Sequence, residues 1–330
     1  MNTYLKSESI MKNPKVMVLT GGVGPEREVS LTTGKALAQT LEKTYCVRLV
    51  DLSSEELPMD INNEETIVFP AIHGTFGEDG RLQKLLEDRG IIYSGSGPAA
   101  SRLCMDKFES KKVVETAGVR VAPDFGFSDP REVNGEEILS QLGQDLIIKP
   151  VDQGSSVALY VIQGSDQLEN ALKSLSPGNW MIEKRIFGRE VTVGILGDCS
   201  LGIVEVIPKG GVYDFERKYT AGSTEYRFPA VLDCDIENEV KESALKAFHA
   251  CGCRDFSRVD FIICEDGNAY FLEVNTLPGL TETSLLPKSA SCSGYDFDKL
   301  AMQLLQPAVT RFSQSVLITC LLYTSPSPRD

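Results

Sequence analysis

No apolar run in this chain approaches the ~18 residues that a membrane-spanning helix requires. The first ten residues, MNTYLKSESI, lack the apolar stretch of a signal peptide; Met11, which leads straight into the strand-like MKNPKVMVLTGG, is a second candidate start. Positive charge is scarce. Lys and Arg number 33 against 47 Asp and Glu, and a net charge of −14 argues against general binding to nucleic acid or anionic membranes. None of the nine cysteines forms a C-x-x-C pair, and Cys251 and Cys253 are too close for zinc-knuckle spacing, with only His73 and His249 to help them. The expectation is therefore buried free thiols in a reducing cytoplasm. Internal repeats are absent. The final stretch, CLLYTSPSPRD (residues 320–330), fits no preceding pattern and resembles the translated read-through of a transposon-type sequencing adaptor, so it is set apart from fold reasoning.

Apolar content of 42% and charged content of 24% are ordinary for a globular protein, and 330 residues suggest two or three domains. Over roughly the first hundred residues, strand-like runs (KVMVLT, YCVRLVDL, ETIVFPAIHG) alternate with helical ones (REVSLTTGKALAQTLEK, GRLQKLLEDRG), which predicts a parallel sheet. SRLCMDKFESKKVVETAG reads as one further helix closed by Gly118. Beyond it the pattern becomes α+β: DLIIKP, VALYVI, WMIEKRI, EVTVGIL, SLGIVEVI and VDFIIC are strands, with DQLENALKSL and EVKESALKAFHACG as helices.

Several constellations bear on chemistry. In LTGGVGPEREVS a glycine turn precedes a helix, the usual layout for binding phosphate. The dinucleotide pattern fails, because Arg27 stands at the third glycine position, and Glu26 and Glu28 would repel an anion. Those acids suit an ammonium group or merely complement the helix dipole; both readings stand. In IIKPVDQGSSVALYVI, strands flank a loop with Lys149, Gly154, Ser155 and Ser156 that is either an ordinary hairpin or a flap over phosphates. The loop around Lys218 and Tyr219 is either a lid or plain surface. His73 sits at a strand end, where α/β folds bind ligands. In VDFIICEDGNAYFLEVN, a two-residue Asp266-Gly267 turn would set Glu265 against Asn268, Asp260 against Glu273, and Arg258 against Asn275. Opposed like charges are destabilising. Either Arg258 neutralises them, the register slips, or Asp260, Glu273 and Asn275 hold a hard cation, Mg2+ above others; the last is favoured because it gives the opposition a purpose.

The ordered set GGVGPEREVS, HGTFGEDGRLQ, MDKFESK, IIKPVDQGSSV, RKYT, RVDF and LEVNTLPGLTETSLLP closely resembles the D-alanine–D-alanine ligases of the ATP-grasp superfamily, over about residues 15 to 305. The resemblance implies an α/β and α+β protein: a Rossmann-like N-terminal domain (1–97), a central ATP-grasp subdomain (98–183) and a C-terminal one with the metal and catalytic site (184–319), followed by the tail (320–330). It also implies a cytoplasmic, homodimeric enzyme that forms D-alanyl-D-alanine from two D-alanines and ATP through an acyl phosphate, for peptidoglycan precursors, with two Mg2+ or Mn2+ ions. By the same resemblance Glu26 binds the first substrate's ammonium beside His73, and Glu26, Ser155 and Tyr219 form a set that positions substrates and closes the lid. Lys107, Lys149 and Lys218 hold phosphates; Glu183 and Lys184 lie at the adenine side and Glu190 at the ribose. Arg258 and the Gly279 N–H stabilise the oxyanion, Ser284 and the Leu285 N–H take the second substrate's carboxylate, and Asp260, Glu273 and Asn275 bind the metal.

Two positions depart from the pattern: Ala158 stands where the phosphate loop usually has glycine, with Tyr160 following, and Leu280 stands where Met is frequent. Tyr219 points away from D-lactate as second substrate, since D-alanyl-D-lactate makers carry another residue there. A D-alanine–D-serine ligase and a catalytically silent ATP-binding protein are the alternatives.

Overall fold

The computed structural model describes residues 13–153, 158–208, 224–281 and 283–324, without the side chains of 316–324. Its first sheet is parallel, in the order β2-β1-β3-β4, from β1 (Lys15–Gly21), β2 (Val47–Leu52), β3 (Thr66–Pro70) and β4 (Ile92–Tyr93). The near-continuous apolar runs of β1 and β3 are what a sheet covered on both faces demands. Val16 and Val18 face α1 (Arg27–Leu41) and a long final helix, through Leu37, Leu41, Leu300 and Leu304. Met17 and Leu19 face the other way, toward Leu82 and Leu86 of α2 (Arg81–Asp88).

The stretch expected to be one helix is two: α3 (Pro98–Met105) and α4 (Lys107–Thr116). Asp106 breaks the run with extended backbone (φ −84°, ψ 99°), and its carboxylate accepts the Glu109 N–H at 2.9 Å, an N-cap of the kind that contributes ~1 kcal/mol. The break makes Lys107 the first residue of a new helix.

The antiparallel remainder forms two sheets. The central one runs β5 (Asp124–Phe127), β8 (Trp180–Lys184), β6 (Asp145–Pro150), β7 (Tyr160–Gln163). The other runs β11 (Thr224–Arg227), β10 (Cys199–Pro208), β9 (Arg189–Leu196), β12 (Phe256–Ile263), β13 (Ala269–Asn275). The two-residue side-chain period divides each strand. Leu146, Ile148 and Ile182 pack under α5 (Gly135–Leu142) and α6 (Gly164–Ser174), leaving Ile147, Lys149 and Glu183 on the opposite face. Val259 and Phe261 pack with α7 (Cys234–Ala250), Ala100 and Cys104 of α3 and Val114 of α4, leaving Asp260 and Ile262 opposite. Helices α5, α8 (Leu285–Ser291) and α9 (Phe297–Thr324) were not evident from sequence. Helix α9 runs five residues into the segment set apart as a tail.

Eight of the nine cysteines have described side chains, and all eight are free. Cys104, Cys251 and Cys253 are buried as expected, but Cys46, Cys199 and Cys234 are exposed, because each sits at or beside the end of an element rather than within a packed face. No described helix is long and apolar enough to cross a membrane.

Candidate active site

The β12–β13 hairpin opposes Asp260 to Glu273 and Arg258 to Asn275, as the sequence predicts, but not by the predicted turn. The turn has three residues, 265–267: Gly267 N–H bonds to Cys264 O (3.0 Å), Cys264 N–H to Asn268 O (2.9 Å), and Gly267 takes the left-handed φ of +84° that closes such loops. That alone would shift every pair by one. A bulge at Leu272, between the Asp260–Glu273 and Phe261–Phe271 pairs, shifts them back. Bulge and turn together bring the two acids to one face.

The opposed acids already have partners. Arg258 donates to both oxygens of Asp260 (2.9 and 2.8 Å), and Thr192 Oγ1 donates to Asp260 Oδ1. Lys107 Nζ lies 3.3 Å from Glu273 Oε2 and donates to the Gln153 carbonyl (2.8 Å). The Asn275 amide nitrogen is 3.1 Å from Asp260 Oδ2 and 3.3 Å from Glu273 Oε1, so all three end groups converge on one point. Turning that amide over presents its oxygen there instead. Among the described residues no group of three or more His, Cys, Asp or Glu could hold a metal. Two carboxylates and an amide form an all-oxygen set, which fits Mg2+ rather than a soft metal.

Between the central and C-terminal sheets lies a cleft of about 380 Å3, lined by Lys107, Lys149, Glu183, Glu190, Asp260 and Glu273 among others. Glu183 is buried on its wall. Its Oε1 accepts from Lys149 (2.6 Å) and its Oε2 from Lys111 (2.8 Å). Burial, the largest single influence, pushes this carboxyl up, yet the two lysines outweigh it and hold it at about 2. Lys184, at the end of β8, is exposed and lines the same cleft.

Beside the N-terminal sheet the charges differ. Glu26 occupies the N-cap position of α1 but makes no capping bond; a Cβ on Gly74 would fall 2.5 Å from its Oε2, so the carboxylate is turned toward the His73-Gly74 corner. Exposed Glu28, in the first turn, is left to complement the dipole. Arg27 closes the glycine turn by bonding Asp51 (2.6 Å) and the carbonyls of Gly22 and Leu52 (both 3.0 Å). Buried His73 lies against Thr33 Oγ1 through Nε2 (3.0 Å), and against Glu78 Oε1 (3.2 Å) and the Leu277 carbonyl (3.1 Å) through Nδ1. Burial raises the Glu78 carboxyl; His73 opposes that rise and the Glu26 charge adds to it.

A family model described as the D-ala D-ala ligase C-terminus matches residues 113–306. The D-alanine–D-alanine ligase of Citrifermentans bemidjiense is 41% identical over 302 residues, 90% of this chain and 97% of that protein; its Thermotoga maritima counterpart is also 41% identical, with 89% and 97% covered. Among solved structures, the ATP complex of the Bacillus anthracis enzyme matches with a TM-score of 0.79 at 31% identity, over 92% of this chain and 99% of that one. The VanG D-Ala:D-Ser ligase of Enterococcus faecalis matches with a TM-score of 0.80 at 28% identity, over 90% and 100%. The chain belongs to the D-alanine–D-alanine ligase family. It has the family's ATP-grasp fold.

Measured against that family, the remaining expected residues divide in two. Gly279 and Ser284 adjoin each other: a Cβ on Gly279 would meet Ser284 Oγ at 2.9 Å, and Ser284 Oγ lies 2.8 Å from Thr281 Oγ1. Leu285 opens α8, so its N–H belongs to the unpaired first turn. Leu280 is buried in the core shared by the N-terminal sheet and α9, where exchange with Met is volume-conserving. Ser155, Lys218 and Tyr219 lie outside the described residues. Three residues went unnoticed in the sequence. Lys111 follows Lys107 by one helical turn, a signal that the 3.6-residue period carries. Glu78 sits inside the quoted motif around His73. Glu205, buried on the cleft wall and bonded through both oxygens to Arg189 (2.7 and 2.8 Å), left no sequence signal beyond strand alternation.

Proposed function

We propose that this protein is an ATP-dependent ligase joining two D-alanines into D-alanyl-D-alanine, for peptidoglycan precursors. One observation carries the reading. Glu273 meets Lys107, and four residues later the Leu277 carbonyl meets His73. Four residues span at most ~14 Å, so a cation-lined nucleotide cleft and an acid-lined pocket adjoin within the reach of one amino acid and a triphosphate.

In the first step a D-alanine carboxylate oxygen attacks the γ-phosphorus of ATP, giving D-alanyl phosphate and ADP. Glu26 holds that substrate's ammonium, and Lys107 and Lys149 neutralise phosphate oxygens. In the second step the amine of another D-alanine attacks the acyl carbon; the tetrahedral intermediate loses its proton and expels phosphate as the peptide bond forms. Arg258 and the Gly279 N–H face the oxyanion, a role worth ~3 kcal/mol per donor, while Ser284 and the Leu285 N–H orient the incoming carboxylate. Asp260, Glu273 and Asn275 would hold Mg2+, which supplies charge stabilisation at the phosphates when bound. A cytoplasmic location and a homodimer belong to the same proposal by analogy with the family.

The test is phosphate release from ATP and Mg2+ with D-alanine alone, then with D-serine or D-lactate added, products identified by mass. D-alanyl-D-alanine as the single product supports the reading. Mixed products containing D-serine would move the protein toward the second-substrate breadth of a D-Ala:D-Ser ligase. ATP binding without turnover would overturn the enzymatic reading.

A further inference from the structure

We infer that Lys111, which does not line the nucleotide cleft, is the positioning residue that keeps Lys149 available to the phosphates; this rests on the ATP-dependent reading above. Lysine is almost never fully buried without partners, and Lys111 is 1% exposed. Its ammonium reaches three acceptors: Glu183 Oε2 (2.8 Å), the Ala122 carbonyl (2.9 Å) and Asp124 Oδ2 (2.5 Å). These acceptors come from strands β8 and β5 and the segment before β5, whereas Lys111 comes from α4, one turn beyond Lys107. A single side chain thus ties the helix that presents one phosphate lysine to the sheet that presents the other.

The geometry at Glu183 says what the tie does. Lys111 occupies Oε2, which leaves Oε1 as the one acceptor for Lys149 (2.6 Å). An ammonium has three donors, so this single contact leaves two to face the cleft that Lys149 lines. Without Lys111 the carboxylate is free to turn and close on Lys149 with both oxygens. Lys149 would then be consumed in neutralising Glu183, and the phosphates would meet a closed ion pair there.

Lys111, Lys149, Glu183 and Asp124 sum to zero charge. Lys111→Met breaks that balance, whereas Lys111→Met with Asp124→Asn restores it and still frees Glu183. The experiment measures phosphate release at saturating D-alanine with ATP varied, ADP affinity by calorimetry, and Tm. Both Lys111→Met proteins are expected to show KM for ATP raised at least tenfold, ADP affinity weakened in parallel, and kcat within threefold of the parent. Asp124→Asn alone is expected to lower Tm while leaving KM within twofold, and Lys111→Arg to recover most of the affinity. An unchanged KM in the charge-balanced double variant overturns the inference, as does an equal KM rise in Asp124→Asn, which would make the cluster merely structural. A parent protein that binds no ATP overturns the nucleotide reading and this inference together; a parent that turns over while the double variant keeps its KM overturns the inference alone.

Discussion

Glu183 and Glu78 are both largely buried carboxyls on the walls of the proposed site, and they respond to burial in opposite ways. Glu183 is flanked by Lys149 and Lys111 and held at about 2; Glu78 faces His73 and the charge of Glu26, and rises. The difference lies in the counter-charge each region supplies. Near the cleft, Lys107, Lys111, Lys149 and Arg258 balance Asp124, Glu183, Asp260 and Glu273. Around His73, Glu78 faces the histidine and feels the charge of Glu26, while the nearby Arg27 is committed to Asp51. On the proposed reading, the acid-lined region takes the substrate's ammonium group. On the same reading, the cleft that Lys107 and Lys149 line takes the phosphates. The contrast makes the two regions complementary to the two ends of one reaction.

The largest effect that could break this comparison belongs where the regions meet. Glu273→Gln keeps the shape of the Lys107 contact and removes one of two carboxylates that would hold Mg2+. Losing several kcal/mol of charge stabilisation lowers turnover at least ~100-fold. Circular dichroism and Tm should stay close to wild type, because the fold relies on the packed face of β13 rather than on this residue. Near-normal turnover would remove the metal assignment. Next in size, Glu26→Gln tests the acid region. A charge-assisted hydrogen bond contributes ~1.5–3 kcal/mol, so KM for D-alanine should rise ~10–100-fold while KM for ATP stays within a factor of a few. Equal changes in both constants would mean that Glu26 supports the fold and not the substrate.

The acid dependence of stability sharpens the contrast further. Glu183 has a folded pKa below its ordinary 4.5, so it contributes stability above pH 4.5 that is lost as pH falls toward 2. Glu78 has a raised folded pKa, so its contribution favours folding below 4.5 and is lost as pH rises through the raised value. Unfolding free energies from urea titrations between pH 5 and 3 should therefore fall less steeply in Glu183→Gln than in wild type, by on the order of 2 kcal/mol, and more steeply in Glu78→Gln. Parallel slopes in all three proteins would show that the two carboxyls do not differ as described.

Much of this was legible in the sequence, sometimes for incomplete reasons. The Asp260–Glu273 opposition was counted from a two-residue turn; the turn has three residues and a bulge at Leu272 cancels the error. Asp-Gly signals a hairpin, but nothing local marks a bulge whose cause is the packing of both strands. The helix break at Asp106 was readable: Asp106 and Glu109 stand at N-cap and N3 spacing, and apolar continuity across the break hid them. Lys111 needed only the helical period. Its three partners, from residues 122, 124 and 183, could not be found without the fold. The roles of Ser155, Lys218 and Tyr219 rest on family resemblance alone.

The smallest expected effect concerns the loop that enters β7. Ala158, where the family pattern usually has glycine, takes φ +53°, the left-handed region in which a Cβ costs ~1–2 kcal/mol. Near His73, Gly74 takes φ +74° and is held to glycine by Glu26 Oε2, so the two regions treat the same backbone demand differently. Ala158→Gly removes the left-handed penalty but gives the unfolded chain more freedom, which offsets ~0.4–1 kcal/mol of the gain. The net stabilisation should be at most ~1.6 kcal/mol, a rise in Tm of a few degrees or less for a chain of this size. If the alanine also restrains the loop that follows Lys149, KM for ATP will change with it while KM for D-alanine will not. A change confined to D-alanine would instead place this loop's influence with the acid region, and the separation of the two ends would fail.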